Sequence, residues 1–113
     1  MIKVEVTQSL QNGRIETVTI SGHSFYDVPG KDIVCAAVSA LAIGAVNSTE
    51  ALLGIDLHPT ESSKSGGYLS WVVPVIADDL LDQKLQLLMG AMLESLKSIE
   101  ESYNRYLSIR VKE

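Results

Sequence analysis

The chain has 113 residues, of which 46% are hydrophobic and 20% are charged, and its formal net charge is -5 at pH 7. A chain of this length can bury its own core as a single domain over residues 1–113, and this composition excludes a disordered protein. The acidic balance argues against direct binding to a nucleic-acid backbone and favours a basic protein partner. The single cysteine excludes an internal disulfide and is typical of a reducing compartment.

The first part of the chain predicts a β-hairpin. Residues 2–6 alternate apolar and polar side chains, and the alternation resumes over residues 14–21 after the turn signal Asn12-Gly13. This alternation does not resemble a signal peptide, and no apolar stretch approaches the roughly 20 residues of a membrane span. We therefore expect a cytoplasmic protein that does not bind a membrane.

An exposed loop and an apolar helix are predicted next. Residues 22–31 contain glycine and proline and show neither periodicity, so they predict an exposed loop. Residues 33–53 are rich in alanine and apolar on most faces, which predicts a helix with Asp32 as its N-cap. A helix with so few charges must be covered on more than one side, either by its own sheet and a second helix or by another subunit.

The next segment predicts two strands around a polar loop. Residues 55–60 are compatible with a short strand, and residues 61–67 are polar. Residues 68–76 are rich in β-branched and aromatic side chains and predict a longer strand. Pro74 lies late in that run, which indicates an edge position or a bulge.

The last part predicts the clearest helix of the chain and a final strand. Asp78 or Asp79 caps a segment whose apolar residues recur at steps of three and four as far as Tyr103. Alternation over residues 107–111 then predicts a strand. The order ββαββαβ indicates a two-layer α+β domain with a mixed or antiparallel sheet and two main helices.

Cys35 lies at the third position of the first predicted helix, where free backbone N–H groups and the helix dipole favour a thiolate. The dipole is worth only about 0.3–1 kcal/mol at an exposed site, so a second group is needed to activate the thiol. His23 is the candidate, because it lies one loop before the helix and an imidazolium stabilises a neighbouring thiolate.

Structural roles are the alternative interpretation of these two residues. A lone cysteine on an apolar helix is usually a small core residue, and a lone histidine is usually an ordinary polar one. A metal site built from His23, His58, Cys35 and carboxylates is disfavoured, because no pair of ligands shows the short spacing typical of zinc sites. The spacing alone leaves the choice between chemistry and packing open.

Residues 22–39 read GHSFYDVPGKDIVCAAVS. This segment resembles the ribosomal-processing cysteine protease (Prp) family, whose pattern is Gly-His, a variable loop, and then Gly-x-Asp-Ile-Val-Cys-Ala-Ala-Val-Ser. The length, the strand order, a Gly-Gly pair before the fourth strand and the close of the last helix also fit. The resemblance therefore extends over the whole chain.

The resemblance implies a Cys/His endopeptidase that removes a short N-terminal extension from bacterial large-subunit ribosomal protein twenty-seven, cutting after an aromatic pair. It implies a homodimer and no cofactor. The nucleophile falls on Cys35 and the base on His23, while the aspartate and serine of the family fall on Asp32 and Ser39. Ser24 departs from the pattern, because the family more often has alanine there.

The loop between the two catalytic positions carries the remaining site predictions. Gly22 and Gly30 flank it and support its movement as hinges. Its apolar side chains are expected to contact aromatic side chains of the substrate; they are Phe25, Tyr26 and Val28. Backbone N–H groups at the start of the Cys35 helix are expected to hold the oxyanion.

Two supporting residues each keep two interpretations. Asp32 is either a helix cap or a third catalytic member that orients His23, and its position favours the cap. Ser39 follows Cys35 by one turn on the same helix face, where its hydroxyl either supports the site or bonds back to a helix carbonyl.

Two other functions compete with the protease. The first is a non-enzymatic ribosome-associated peptide-binding or assembly module that uses the same surface, with Cys35 as a packed residue. The second is a thiol sensor, which needs a resolving cysteine that this chain does not contain.

Overall fold

The computed structural model describes residues 1–28, 31–62 and 67–113. Within them the chain forms five strands and two helices in the predicted order ββαββαβ. The elements are β1 (Ile2–Gln8), β2 (Ile15–Ser21), α1 (Ile33–Leu53), β3 (Thr60–Glu61), β4 (Tyr68–Val72), α2 (Asp79–Ser102) and β5 (Leu107–Lys112).

The strands form one mixed sheet in the order β3-β4-β2-β1-β5. β5 runs parallel to β1, and the other neighbours are antiparallel. Val4 and Val6 on β1 are fully buried while Lys3 is exposed, so one face of the sheet is covered and the other faces solvent. This arrangement confirms the two-layer α+β prediction.

The core lies between the covered face of the sheet and the two helices. α2 contributes its apolar stripe at steps of three and four, as the sequence predicts. The indole N–H of Trp71 donates to the sulfur of Met89 at 3.4 Å, which joins β4 to α2. The buried residues of α2 are Leu85, Met89, Met92, Leu93 and Leu96.

α1 corrects the expectation that no apolar stretch approaches the length of a membrane span. It has 21 residues, and by length and composition it is the one helix in the described ranges that could cross a membrane. A helix buried in a protein core can have the same length and composition. Val34, Val38, Ala42 and Val46 of α1 belong to the hydrophobic core, and α1 contacts α2.

Two predicted strands are shorter than expected. The segment 55–60 contributes only Thr60 to β3, because His58 adopts a left-handed φ of 48° that interrupts an extended backbone. β4 ends at Val72 instead of residue 76, before Pro74, which has no N–H for a sheet ladder. β4 lies between β3 and β2, but β3 pairs only with Leu69 and Ser70, and Pro74 lies beyond the end of the strand instead of at an edge position or a bulge within it.

Candidate active site

The start of α1 is fixed by Asp32. Its side-chain oxygen Oδ1 accepts the backbone N–H groups of Val34 and Cys35, each at 3.0 Å, so Asp32 is the predicted N-cap. Ile33 is the first helical residue, and Cys35 is therefore the third. The cysteine is half-buried at the helix N-terminus.

The second oxygen of Asp32 holds the preceding loop against the helix. Oδ2 accepts the hydroxyl of Ser24 and the backbone N–H groups of Tyr26 at 3.1 Å and Asp27 at 3.4 Å. Burial alone would raise the pKa of Asp32, but the Ser24 hydroxyl and the N–H groups of Cys35, Asp27 and Tyr26 outweigh it and lower the pKa to about 2. The carboxylate is therefore ionised, and both of its oxygens are used by nearby donors.

Ser24 joins this network to the sulfur of Cys35. Ser24 is 3% exposed. Its backbone N–H donates to Cys35 Sγ at 3.4 Å, and its hydroxyl oxygen lies 3.4 Å from the same sulfur. The residue at which the chain departs from the family pattern is thus in direct contact with the cysteine.

His23 lies just after β2 and is exposed. Its imidazole packs directly over Gly67, where an added Cβ would lie 2.6 Å from Nε2 and 2.9 Å from Cε1. Gly22, the residue before the histidine, has a φ of +88° and donates its N–H to the carbonyl of Gly67 at 2.8 Å. A Cβ at Gly22 would meet the carbonyl oxygen of Met1 at 2.4 Å, so the backbone beside His23 requires glycine.

His23 and Cys35 line the same cleft, which has a volume of about 300 Å³ and lies between α1 and the sheet. Ser39 also lines it, one turn after Cys35, as the helix spacing predicts. Among the described residues, the Ser39 hydroxyl forms neither a hydrogen bond to another residue of the site nor one back to a helix carbonyl. The apolar lining residues are Ile2, Ile20, Val38, Ala42, Ile43 and Leu69.

The loop residues predicted to contact substrate separate into two groups. Phe25 and Val28 are 77% and 58% exposed. The ring of Tyr26 instead packs edge-on against Tyr103 and Tyr106, with ring centroids 5.7 and 5.1 Å apart. Tyr26 therefore anchors the loop to the end of α2. Gly30, the second predicted hinge, lies outside the described residues.

Sequence reasoning missed the part of the cleft lining that comes from the region of β3 and β4. Gly67, Glu61, Ser62 and Tyr68 lie at or beside β3 and β4, far from residues 22–39 in the chain. The Gly-Gly pair before the fourth strand, noted as part of the family resemblance, was the one sequence feature that could have indicated Gly67. A local motif cannot reveal the others, because sheet pairing brings them to the cleft.

No group of three metal-binding side chains is found within the ranges 1–28, 31–62 and 67–113. His58 lies away from the cleft, with its side chain 84% exposed and its Nδ1 3.5 Å from a carboxylate oxygen of Asp56. The two histidines and the cysteine considered as ligands are therefore not brought together.

A half-buried cysteine at a helix N-terminus, with a histidine on the same cleft of an α+β domain, is the arrangement of a thiol nucleophile and its base that cysteine proteases use. The comparison with known families makes the assignment specific. Residues 1–108 match the model of the family "Cysteine protease Prp", and the chain belongs to this family.

Individual relatives agree with that assignment. A ribosomal processing cysteine protease Prp of Bacillus subtilis is 34% identical over 109 residues, covering 96% of each chain. The crystal structure of Prp from Staphylococcus aureus with a covalently linked product peptide is 32% identical, with a TM-score of 0.81 over 99% of this chain and 100% of that one. The same S. aureus protease with a substrate peptide gives a TM-score of 0.76 at 32% identity and the same coverage.

Proposed function

We propose that this cysteine protease removes the short N-terminal extension of bacterial large-subunit ribosomal protein twenty-seven, with Cys35 as nucleophile and His23 as general acid and base. The observation that carries the proposal is the position of Cys35 at the start of α1, on the cleft that His23 also lines. The S. aureus relative, which is crystallised with a substrate peptide and with a covalently linked product peptide, supports a peptide substrate.

The proposed reaction is an acyl transfer through the cysteine. The Cys35 thiolate attacks the scissile carbonyl, and protonated His23 gives its proton to the leaving amine nitrogen. Neutral His23 then takes a proton from water, and the resulting hydroxide releases the acyl group from the sulfur. Every group required is a side chain or backbone group of this chain, so the reaction needs no cofactor.

The cleft and the overall charge suit an apolar segment within a basic protein. Apolar residues of α1 and the sheet line most of the cleft, while the carboxylate of Glu61 adds negative charge to its lining. The net charge of -5 attracts a basic ribosomal protein and repels nucleic acid. A single reactive thiol fits the reducing cytoplasm.

The protease is proposed to act as a homodimer, as the family resemblance implies. α1 carries one charged residue, Glu50, and exposes Ile33 and Leu52 by 52% and 71%. Ala36, Ala40 and Ala51 are exposed on the same helix. Such an apolar helix face is typical of a surface that another subunit covers.

The test incubates the extended ribosomal protein with the purified enzyme and follows its intact mass. We expect one defined cleavage by the wild-type protein, no turnover by Cys35→Ala or Cys35→Ser, and loss of most activity in His23→Ala. His58→Ala is the matched control, because His58 is exposed and lies outside the cleft, and it should keep full activity.

Two outcomes would contradict the proposal. Cleavage by Cys35→Ala at the wild-type rate would exclude the cysteine nucleophile. Tight binding of the extension by the wild-type protein without any cleavage would instead favour the non-enzymatic peptide-binding module.

A further inference from the structure

Acyl transfer requires hydrogen-bond donors for the oxyanion. The sequence suggests that the N–H groups at the start of α1 have no other acceptor, but in the structure they already donate hydrogen bonds. The N–H groups of Val34 and Cys35 donate to Asp32 Oδ1 at 3.0 Å. The N–H of Ala36 donates to the backbone carbonyl of Asp32 at 3.1 Å. The N-cap therefore uses three donors that lie next to the nucleophile.

One backbone N–H outside the helix points at the nucleophile instead. The N–H of Ser24 approaches Cys35 Sγ at 3.4 Å from the loop side of the cleft. Within the described part of the chain, this sulfur is the acceptor of that N–H. The oxyanion forms on the carbon that the sulfur attacks, so only one atom separates it from the sulfur. A donor directed at that sulfur therefore lies close to the position of the oxyanion.

The side chain of Ser24 holds this N–H in place. Its hydroxyl donates to Asp32 Oδ2 and accepts the N–H of Tyr26 at 3.3 Å. Because Ser24 is 3% exposed and bonded on both sides, its amide is preorganised rather than free to rotate. An alanine at this position would keep the N–H, so the family pattern is compatible with the same role.

We propose that the backbone N–H of Ser24 is a donor of the oxyanion hole of this protease, an inference that rests on the proposed attack by Cys35. In the attack, a sulfur lone pair forms the S–C bond, and the C=O π pair moves to the oxygen, which accepts the Ser24 N–H. The oxygen pair then re-forms C=O, the C–N bond breaks, and the proton of His23 goes to the departing nitrogen.

The test replaces the Ser24 amide with an ester, which removes the N–H and keeps the side chain. Cys35 is the single cysteine, so a synthetic segment 1–34 carrying the ester can be ligated to residues 35–113. The matched control has the ester at Leu10, a turn residue whose N–H donates no hydrogen bond to any described residue. Ser24→Ala tests the hydroxyl separately.

Two reactions of each protein are compared. Peptide hydrolysis forms an oxyanion, whereas alkylation of Cys35 by iodoacetamide needs the thiolate and forms no oxyanion. We expect the Ser24 ester to lower kcat/KM for hydrolysis by about 10²–10³-fold and the alkylation rate by far less. The Leu10 ester should keep the wild-type kcat/KM, and Ser24→Ala, which keeps the N–H but loses the hydroxyl that positions it, should lose less activity than the Ser24 ester.

Unchanged hydrolysis, or equal losses in hydrolysis and alkylation, would overturn the assignment. These outcomes are distinct from failure of the proposed function, in which the wild-type protein itself does not cleave.

The wild-type protein provides a second readout that does not depend on folding of the ester variant. A peptide aldehyde adds to the cysteine and places an oxygen where the oxyanion forms. The amide proton of Ser24 should then move downfield in the NMR spectrum relative to the carboxamidomethylated enzyme. An unchanged Ser24 resonance in the aldehyde adduct would overturn the proposal.

Discussion

Asp32 connects the helix cap, the loop and the cysteine through one carboxylate. Oδ1 caps α1, and Oδ2 accepts donors from Ser24, Tyr26 and Asp27. If Asp32 were only a helix cap, asparagine would replace it with little loss, because both residues cap helices well. An asparagine could accept on one side only, and its NH₂ would meet three donors on the other side. We therefore expect Asp32→Asn to be less stable than the wild-type protein.

The pH dependence of that difference follows from the lowered pKa. The pKa of Asp32 is about 2 in the folded state against an ordinary value of 3.8. Ionised Asp32 therefore stabilises the fold above pH 3.8, and this contribution disappears as the pH falls to about 2. The gap in unfolding free energy between wild type and Asp32→Asn should narrow by about 2 kcal/mol between about pH 6 and pH 2, as measured by urea unfolding. A gap that is constant with pH would contradict the role of the charge.

Gly67 supports His23 by having no side chain. Its φ of +71° disfavours any L side chain, and an added Cβ would collide with the imidazole. Gly54, the C-cap of α1, has a similar φ of +68° but open space around its Cβ position. An alanine at either position would therefore strain the left-handed backbone. Only at Gly67 would its Cβ also collide with His23.

Gly67→Ala should displace the imidazole and lower kcat/KM by about 10²-fold, since a misplacement of about 1 Å can cost that much. Both Gly67→Ala and Gly54→Ala should lose about 1–2 kcal/mol of stability from the left-handed backbone. Gly54→Ala should keep the wild-type kcat/KM. Equal activity of the two variants in the peptide assay would show that Gly67 matters for folding alone.

At the scale of elements, Arg14 and Gln86 fasten β2 to α2. Arg14 forms two hydrogen bonds to the Asp82 carboxylate, at 3.1 and 2.7 Å, and a third to the carbonyl of Pro74 at 3.1 Å. The hydrogen bond from Arg14 lowers the pKa of Asp82 below its ordinary range. Gln86 bonds to both the N–H and the carbonyl of Ile15. These contacts set the position of α2 against the sheet.

Arg14→Met should destabilise the protein by about 1.5–3 kcal/mol, because it leaves a largely buried carboxylate and a carbonyl without their donor. Lys97→Met is the matched control, since the Lys97–Glu94 pair is exposed and 3.5 Å apart, and its loss should change stability by less than about 0.5 kcal/mol. Urea unfolding of both variants measures the difference. Similar losses in the two variants would contradict the proposed role of Arg14.

At the scale of the whole molecule, the exposed apolar face of α1 bears on the proposed homodimer. Ala40→Arg places a positive charge in the centre of that face. The control variant Gln83→Arg places the same charge at an exposed position of α2. We expect sedimentation to give a dimer for the wild type and for Gln83→Arg, and a monomer for Ala40→Arg at the same concentration. A monomeric wild type would reject the dimer, while a dimeric Ala40→Arg would place its interface elsewhere.

The element order, the Asp32 cap and the third-residue position of Cys35 could be predicted from the sequence, which left the second cap between Asp78, the observed one, and Asp79. These features follow from local rules, because periodicity, capping side chains and helix geometry act within a few residues. The family motif also pointed to His23 and Cys35 as the catalytic pair, and their roles stay predictions until the variants are measured. The role of Gly22 as a hinge also stays a prediction, and its close approach to Met1 could not be foreseen from the sequence.

Tertiary structure alone decided the remaining features. The parallel pairing of β5 with β1, the short β3 and the meeting of Gly67 with His23 depend on which strands hydrogen-bond, and local periodicity does not specify a neighbour. The sequence assigned the oxyanion to the helix N–H groups because a helix start normally leaves them free. In the folded chain those donors are used by Asp32, and the N–H of Ser24 reaches the sulfur instead. Which donor stays available is set by competition among groups that folding brings together.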